Sequence, residues 1–497
     1  MTSTDRTSGR PGAILPPEET RIVWLLLAAA FVAILNETTM GVAIPHLMGD
    51  LGITAVAAQW LTTAFMLTMA VVIPVTGFLL RRFTTRTMFV AAMTLFSLGT
   101  LIALVAPGFV VLVVARVVQA SGTAIMMPLL MTTLMTIVPP HSRGRMMGRV
   151  SIVMSLAPAI GPTLAGFLLD TLSWRWIFGV VLPIALVALA VGATWIRNLG
   201  ETTRAPIDAP SVVLSAFGFG GLVYGLSQIG GAQHQGEAGT ASASLATTSL
   251  VVPLVVGVVA LTIFVLRQLK LQRVDDALLD LRVFRSRNFT LAISQLSLLS
   301  AAFFGVITVL PLYLQSVLGV SSLDTGLAVL PGSLIMGLAG PLIGRVYDAR
   351  GTRTLLVPGA VLAIGVLWCF ALFFTATTPL WIVVIAQTVL SLGLALSFTP
   401  LFTASLASLE PRFYSYGSAI VGTAQQVAGA AGIAVLFTVM SAVSTTAAAS
   451  GASDSVAGAA GAHAAFLVAA IIALPMLVGA VVIRKPADAE FDGPPVH

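Results

Sequence analysis

Residues 344–353 read GRVYDARGTR, and residues 77–86 read GFLLRRFTTR. Each stretch opens on a glycine at the end of an apolar run and closes on an arginine. The two glycines are 267 positions apart (344 − 77), and so are the two arginines (353 − 86). The same shift carries residue 22, where the first apolar run begins, onto 289, where another begins. A period this long repeats a whole bundle of elements rather than one motif. The chain is therefore read as two halves in the same orientation, 22–196 and 289–484, joined by an insert at 197–288 and flanked by tails at 1–21 and 485–497.

Composition says what the elements are. The chain has 497 residues, 57% hydrophobic and only 9% charged, with a mean hydropathy of +1.01. Soluble domains carry roughly a quarter charged residues. Apolar runs near 20 residues therefore mark membrane-spanning helices. Fourteen are read, at about 22–46, 58–80, 86–106, 109–137, 146–170, 175–196, 209–230, 248–268, 289–311, 323–344, 354–374, 379–407, 416–444 and 461–483. Each half holds six and the insert two, an all-α integral membrane fold. Parallel repeats of this kind build secondary transporters that rock about a site at the bilayer midplane.

A net charge of +6 and a pI near 10 would suit nucleic-acid binding, but the placement of the basic residues argues otherwise. Twenty-three of 25 fall on one side of the helix map; Arg175 lies on the other, and Arg116 lies within the fourth helix. The positive-inside rule makes the arginine-rich side cytoplasmic, with both termini there. One missed or invented span would scramble this alternation, so the bias also supports the helix count. No cleaved signal peptide is read at the N-terminus. Cys369 is the only cysteine and the five histidines are scattered, so no metal site is expected. The two lysines, Lys270 and Lys485, lie outside any phosphate-binding loop pattern. Transport would then draw on an ion gradient, with no cofactor.

Of 19 acids, Glu37 alone sits well inside an apolar helix. Such a placement costs a few kcal/mol and marks function by default. Glu37 lies nine residues before His46 and Arg116 seven residues into its helix. At 1.5 Å per residue these are roughly 13 and 10 Å below the same membrane face. One reading is a structural ion pair that fixes helix packing. The other is a proton-coupling carboxylate tuned by Arg116, because burial and a neighbouring cation act on proton affinity in opposite senses. A conformational change that alters either then moves protons across the membrane. The pair could be indirect, through Gln119 or water.

The local motifs resemble those of the fourteen-helix drug:proton antiporters of the major facilitator superfamily. GRVYDARGTR fits that superfamily's cytoplasmic signature through Gly344, Asp348, Gly351 and Arg353. LVVARVVQASGTA (112–124) fits the signature built around an intramembrane arginine. APAIGPTLAG (157–166), with Pro158, Gly161, Pro162 and Gly166, is similar to the fifth-helix signature associated with antiport. SWRWIF (173–178), LPLYLQSVLG (310–319) and YGSAIVGTAQQVAGAAGIAV (416–435) are typical of the fourteen-helix branch, and residues 58–79 resemble its lincosamide-resistance members. LNETTMGVAIP (35–45) resembles the first-helix signature, with Asn36 where an acid is usual. In the first-half copy of the cytoplasmic signature Gly77 and Arg86 fit, but Arg81 replaces an acid and Thr84 a glycine. The resemblance implies that the conformational lock rests on Asp348 and the second half.

These readings give the following expectations. Glu37 and Arg116 couple protons. Asn36, Gln119, Tyr313, Gln315, Gln425, Met127 and Phe304 are candidate substrate contacts, chosen as polar, aromatic or thioether groups in apolar helices. Residues Pro158 to Gly166 give the fifth helix bends and a flat surface for close approach. Asp348 and Arg353 make contacts between the halves. Asp324, at a helix start on the outer side, either steers cations or simply favours the helix N-terminus. The chain is expected to export lipophilic or amphipathic compounds, cations among them, in exchange for protons, as a monomer in a bacterial inner membrane. Rival readings are a dedicated exporter of one metabolite, antibiotic or lipid, and a membrane sensor or scaffold without transport.

Overall fold

The computed structural model describes residues 16–198, 206–231 and 240–486. The tail arginines Arg6 and Arg10, Arg204, and residues 232–239 between the two inserted helices lie outside these residues. Helices α1 (Pro17–Leu51), α2 (Ala55–Arg82), α3 (Thr85–Leu104), α4 (Phe109–Ile137), α5 (Arg143–Thr171) and α6 (Arg175–Trp195) precede the insert. The insert supplies α7 (Ala209–Gly231) and α8 (Thr240–Leu271). There follow α9 (Arg287–Leu312), α10 (Ser322–Arg350), α11 (Arg353–Phe373), α12 (Leu380–Ala407), α13 (Tyr414–Ala449), α14 (Asp454–Ala473) and α15 (Pro475–Val482). Among the described residues fourteen segments are long and apolar enough to cross a bilayer, with α14 and α15 forming one of them. The run read as a single last helix is broken at Leu474 because Pro475 lacks the N–H that a continuous helix needs there. The first helix runs five residues beyond His46 before Gly52, at φ +60°, ends it.

Hydroxyl side chains set several helix starts by accepting an orphan backbone N–H. Thr54 caps α2, Thr84 caps α3, Ser286 caps α9 and Ser321 caps α10. Helix interiors carry prolines that a soluble helix would not keep, among them Pro74, Pro128, Pro158, Pro162 and Pro400. Membrane helices tolerate them because neighbours re-satisfy the freed backbone groups.

The two groups of helices, α1 to α6 and α9 to α15, meet chiefly where α5 packs on α10, the most extensive pairing either helix makes, and where α2 packs on α13. The α5–α10 crossing is backbone on backbone. A Cβ built on Gly344 would lie 2.1 Å from Gly144 O, and one on Gly148 would lie 2.3 Å from Gly340 O. Small residues four apart on both helices allow this approach.

The inserted α7–α8 hairpin lies against α2 and α13. Its two helices touch through Gly221 and Gly257 and are tied at the arginine-rich end by a forked ion pair. There Arg267 Nε and Nη2 each donate to Asp208 at 2.7 Å. The Asp208 carboxyl is held below the usual carboxylate range, first by that Arg267 hydrogen bond. A depressed carboxylate stabilises the fold above its unfolded pKa of about 4 and loses that contribution only in stronger acid. Asp208→Asn should thus lower the melting temperature of the detergent-solubilised protein at neutral pH by a few degrees. Solvent screening at the exposed Arg267 keeps the effect modest. Scanning fluorimetry checks this, and the gap to wild type should close in strong acid.

Candidate functional site

Arg116 is 1% exposed in the middle of the first group of helices. Its Nη1 donates to Asn36 Oδ1 of α1 at 3.1 Å and to Gln119 Oε1 one turn along α4 at 2.6 Å. Its Nε points at the Leu61 carbonyl of α2 at 3.5 Å, and its guanidinium lies 4.1 Å from the centroid of the Phe65 ring. Gln119 in turn donates to Thr100 Oγ1 of α3 at 2.8 Å, and Thr100 donates to Phe96 O. Close packing of α3 on α4 makes this reach possible: a Cβ on Gly99 would lie 2.4 Å from Gln119 N. Four helices thus hold one cation with neutral groups, and Asn36 and Gln119 are themselves fully buried.

Glu37 is partly buried beside this network. Among the described residues no ion pair joins it to Arg116. Arg116 bonds Asn36, the residue just before Glu37 on α1, which sets the acid next to the network. The consequence is chemical. Arg116 keeps its hydrogen bonds whether Glu37 is charged or neutral, so loss of the negative charge does not leave the guanidinium orphaned. The α5 helix reaches this point too, because a Cβ on Gly161 would lie 2.2 Å from Thr38 Oγ1. Arg116→Lys should fail despite keeping its charge, because an ammonium cannot serve Asn36, Gln119 and the Phe65 face together. A loss of about 2–3 kcal/mol is expected from the buried acceptors left short, read as a lower melting temperature and abolished transport.

The other candidates separate. Asn36 and Gln119 belong to the arginine network and are buried rather than presented to a cavity. Tyr313 is buried, stacked on Phe374, and donates its hydroxyl to Thr375 O at 2.6 Å, so it packs one end of α9 instead of facing a central site. Gln315 is exposed in the π turn after α9. Gln425, Met127 and Phe304 are partly buried, and Phe304 packs on Gly429 one turn from Gln425. Of the fourth-helix methionines, Met126, Met131 and Met135 are core. Gly161 makes the close approach expected of α5, whereas Gly166 meets open space and Pro162 is exposed. Asp324 is exposed and bonded to Ser321, which caps the same helix; its observed role is at the helix start. A small apolar cavity lined by Leu299, Phe303, Leu367, Leu394 and Met476 lies within the second group of helices, away from Arg116.

At the arginine-rich end the two groups are tied together. Asp348 Oδ1 and Oδ2 accept from Gly144 N and Arg145 N, both at 2.8 Å, and so cap α5. Arg81, in place of the acid, donates to Tyr416 Oη at 3.0 Å and lies over its ring. Arg143 donates to Tyr414 Oη at 3.1 Å and to Met135 O. Thr132 bonds Ser418, and Ser151 bonds Thr399. Gly77 meets Ser415 and Ala419. Arg353 and Arg86 are exposed and take no part in these contacts, which corrects the expectation for Arg353. The two tyrosines were missed by sequence reasoning; their signal was the pair of tyrosines in FYSYG beside a basic loop. Among the described residues the hydrogen bonds between the groups all fall in this half of the molecule, a closed end.

The sequence matches the Major Facilitator Superfamily over residues 26–433. It is 41% identical to the MFS-type transporter YcnB of Bacillus subtilis, over 94% of this chain and 95% of that one. It is 38% identical to the lincomycin resistance protein LmrB of the same organism, over 84% of each. The fold is similar to that of the human organic anion transporter MFSD10, with a TM-score of 0.64 at 15% identity, covering 94% of this chain and all of that one. The chain belongs to the major facilitator superfamily and is a multi-pass membrane transporter.

Proposed function

We propose that the protein is a proton-coupled antiporter that exports lipophilic and amphipathic compounds, cations among them, from a bacterial cytoplasm. The observation that carries this is Glu37, an unpaired acid beside an Arg116 that is fully supported by neutral groups. In this reading the arginine-rich end is cytoplasmic, and the structure corresponds to a carrier closed on that side. With the cytoplasmic end open, charged Glu37 favours capture of substrate from the cytoplasm or the inner leaflet. Rocking to the outside admits a proton, which neutralises Glu37 and displaces the substrate. The neutral carrier returns without the cost of moving an uncompensated charge through the bilayer. Relatives named for lincomycin and multidrug resistance support a drug-like substrate class. The test is efflux of ethidium and lincomycin from cells lacking their own pumps, with and without a protonophore. Export of both that stops with the protonophore, with mutual competition, is expected. Export of a single compound without competition would point to a dedicated exporter instead.

A further inference from the structure

The segment joining α8 to α9 has two unlike sides. Its inner side is seated on the closed end: Ala277, Leu278, Leu279, Asp280 and Val283 are buried. It is bonded there by Tyr416 Oη donating to Ala277 O at 3.1 Å and by Ser286 Oγ donating to Ser408 O at 3.2 Å. Tyr416 is the same residue that receives Arg81 across the two groups of helices. The segment therefore touches the closure directly.

Its outer side is basic and apolar together. Arg267 and Arg282 are consumed by Asp208, Asp275 and Asp280. Lys270, Arg273, Arg285 and Arg287 are exposed, and among the described residues none of their side chains makes a hydrogen bond or ion pair. Asp276 is the one acid of the segment without such a partner. Beside these cations stand Leu269, Val274 and Phe284, of which Val274 is 65% and Phe284 41% exposed. Leu269 and Val274 lie at the end of the apolar span Val251–Val274, so the cations stand where that span ends. Stable attachment to a bilayer surface takes two signals, charge and apolar insertion, and both are present.

We propose that residues 269–287 form a binding surface for anionic phospholipids of the cytoplasmic leaflet, which holds the closed end shut through Ala277 and Tyr416. Headgroup phosphates meet Lys270, Arg273, Arg285 and Arg287, while Leu269, Val274 and Phe284 enter the acyl boundary. The side of the membrane rests on the orientation proposed above. Each basic residue near an anionic leaflet contributes about a fivefold gain in binding.

The experiment uses the full chain in phosphatidylcholine nanodiscs with and without phosphatidylglycerol. Native mass spectrometry counts retained phosphatidylglycerol. Alkylation of a cysteine placed at Ser418, in a Cys369→Ser background, reads the closed end. Wild type should retain phosphatidylglycerol and label several-fold more slowly when it is present. Replacing Lys270, Arg273, Arg285 and Arg287 together by Gln should cut retention at least about tenfold and remove the lipid effect on labelling. Val274→Ser with Phe284→Ser keeps every charge and should still weaken retention several-fold. Retention that survives the four-Gln variant overturns the proposal, as does a Ser variant with unchanged retention, because diffuse attraction to a basic surface would then suffice. Neither readout requires a transported substrate, so failure here is distinct from failure of the export reading.

Discussion

Gly344→Val is expected to prevent the arginine-rich end from closing and to abolish transport. The new Cβ would meet Gly144 O at 2.1 Å and Arg145 Cα at 3.0 Å, both backbone atoms of α5 that no rotamer change can move. Overpacking of this kind costs about 1–3 kcal/mol, which shifts the open-to-closed balance by roughly 5- to 150-fold. The same displacement pulls Asp348 from the amides of Gly144 and Arg145, so the acid that caps α5 loses its partners in the same step. A cysteine at Ser418 should be alkylated faster in Gly344→Val than in the parent. Gly326→Ala, on the same helix with nothing within 4 Å of its added carbon, should label like the parent. A Gly344→Val protein that exports normally with a protected Ser418 position would remove the crossing from the mechanism.

Replacing Glu37 by Gln is expected to leave a folded carrier that exchanges but does not pump. Gln keeps the shape and loses the titration. Arg116 retains Asn36, Gln119 and Phe65, so the network does not collapse when the charge goes. Ethidium accumulation driven by an imposed pH gradient in proteoliposomes should fall about a hundredfold, the upper range of a coupling between two sites. Exchange of internal for external ethidium should continue at a rate near wild type. If the gradient-driven flux persists, Glu37 is structural, and the proton path lies with one of the acids near an outer helix end, Asp50 in α1, Asp170 in α5 or Asp324 in α10.

The fourteen spans were legible, because the length of an apolar run against the rise of a helix is a property of the sequence itself. Which atoms Arg116 touches was not. That depends on how α1, α3 and α4 are rotated about their axes, and a one-residue rotation decides between Asn36 and Glu37 as the partner. Thr100 entered the network the same way, visible in the sequence only as one more hydroxyl in an apolar helix. Tyr313 shows the converse. A polar group in an apolar helix announces that it needs a partner or an interface, and here the partner is the Thr375 carbonyl rather than a substrate. Of the glycines at the α5–α10 crossing only Gly344 was singled out in the sequence, as part of the cytoplasmic signature, because nothing in either helix names the other as its neighbour. Arg81 was read as the loss of a charge clamp; the structure answers that loss with Tyr416, on a helix more than 300 positions away.

The central claim is that substrate moves one way as protons move the other through Glu37. The direct measurement places the protein in liposomes holding a pH-sensitive dye, starts them at equal pH on both sides, and imposes an ethidium gradient. Wild type should shift the internal pH in the sense opposed to the ethidium flux, and Glu37→Gln should not shift it at all. Ethidium flux by wild type with no change in internal pH, or an equal pH change in Glu37→Gln, would contradict the account.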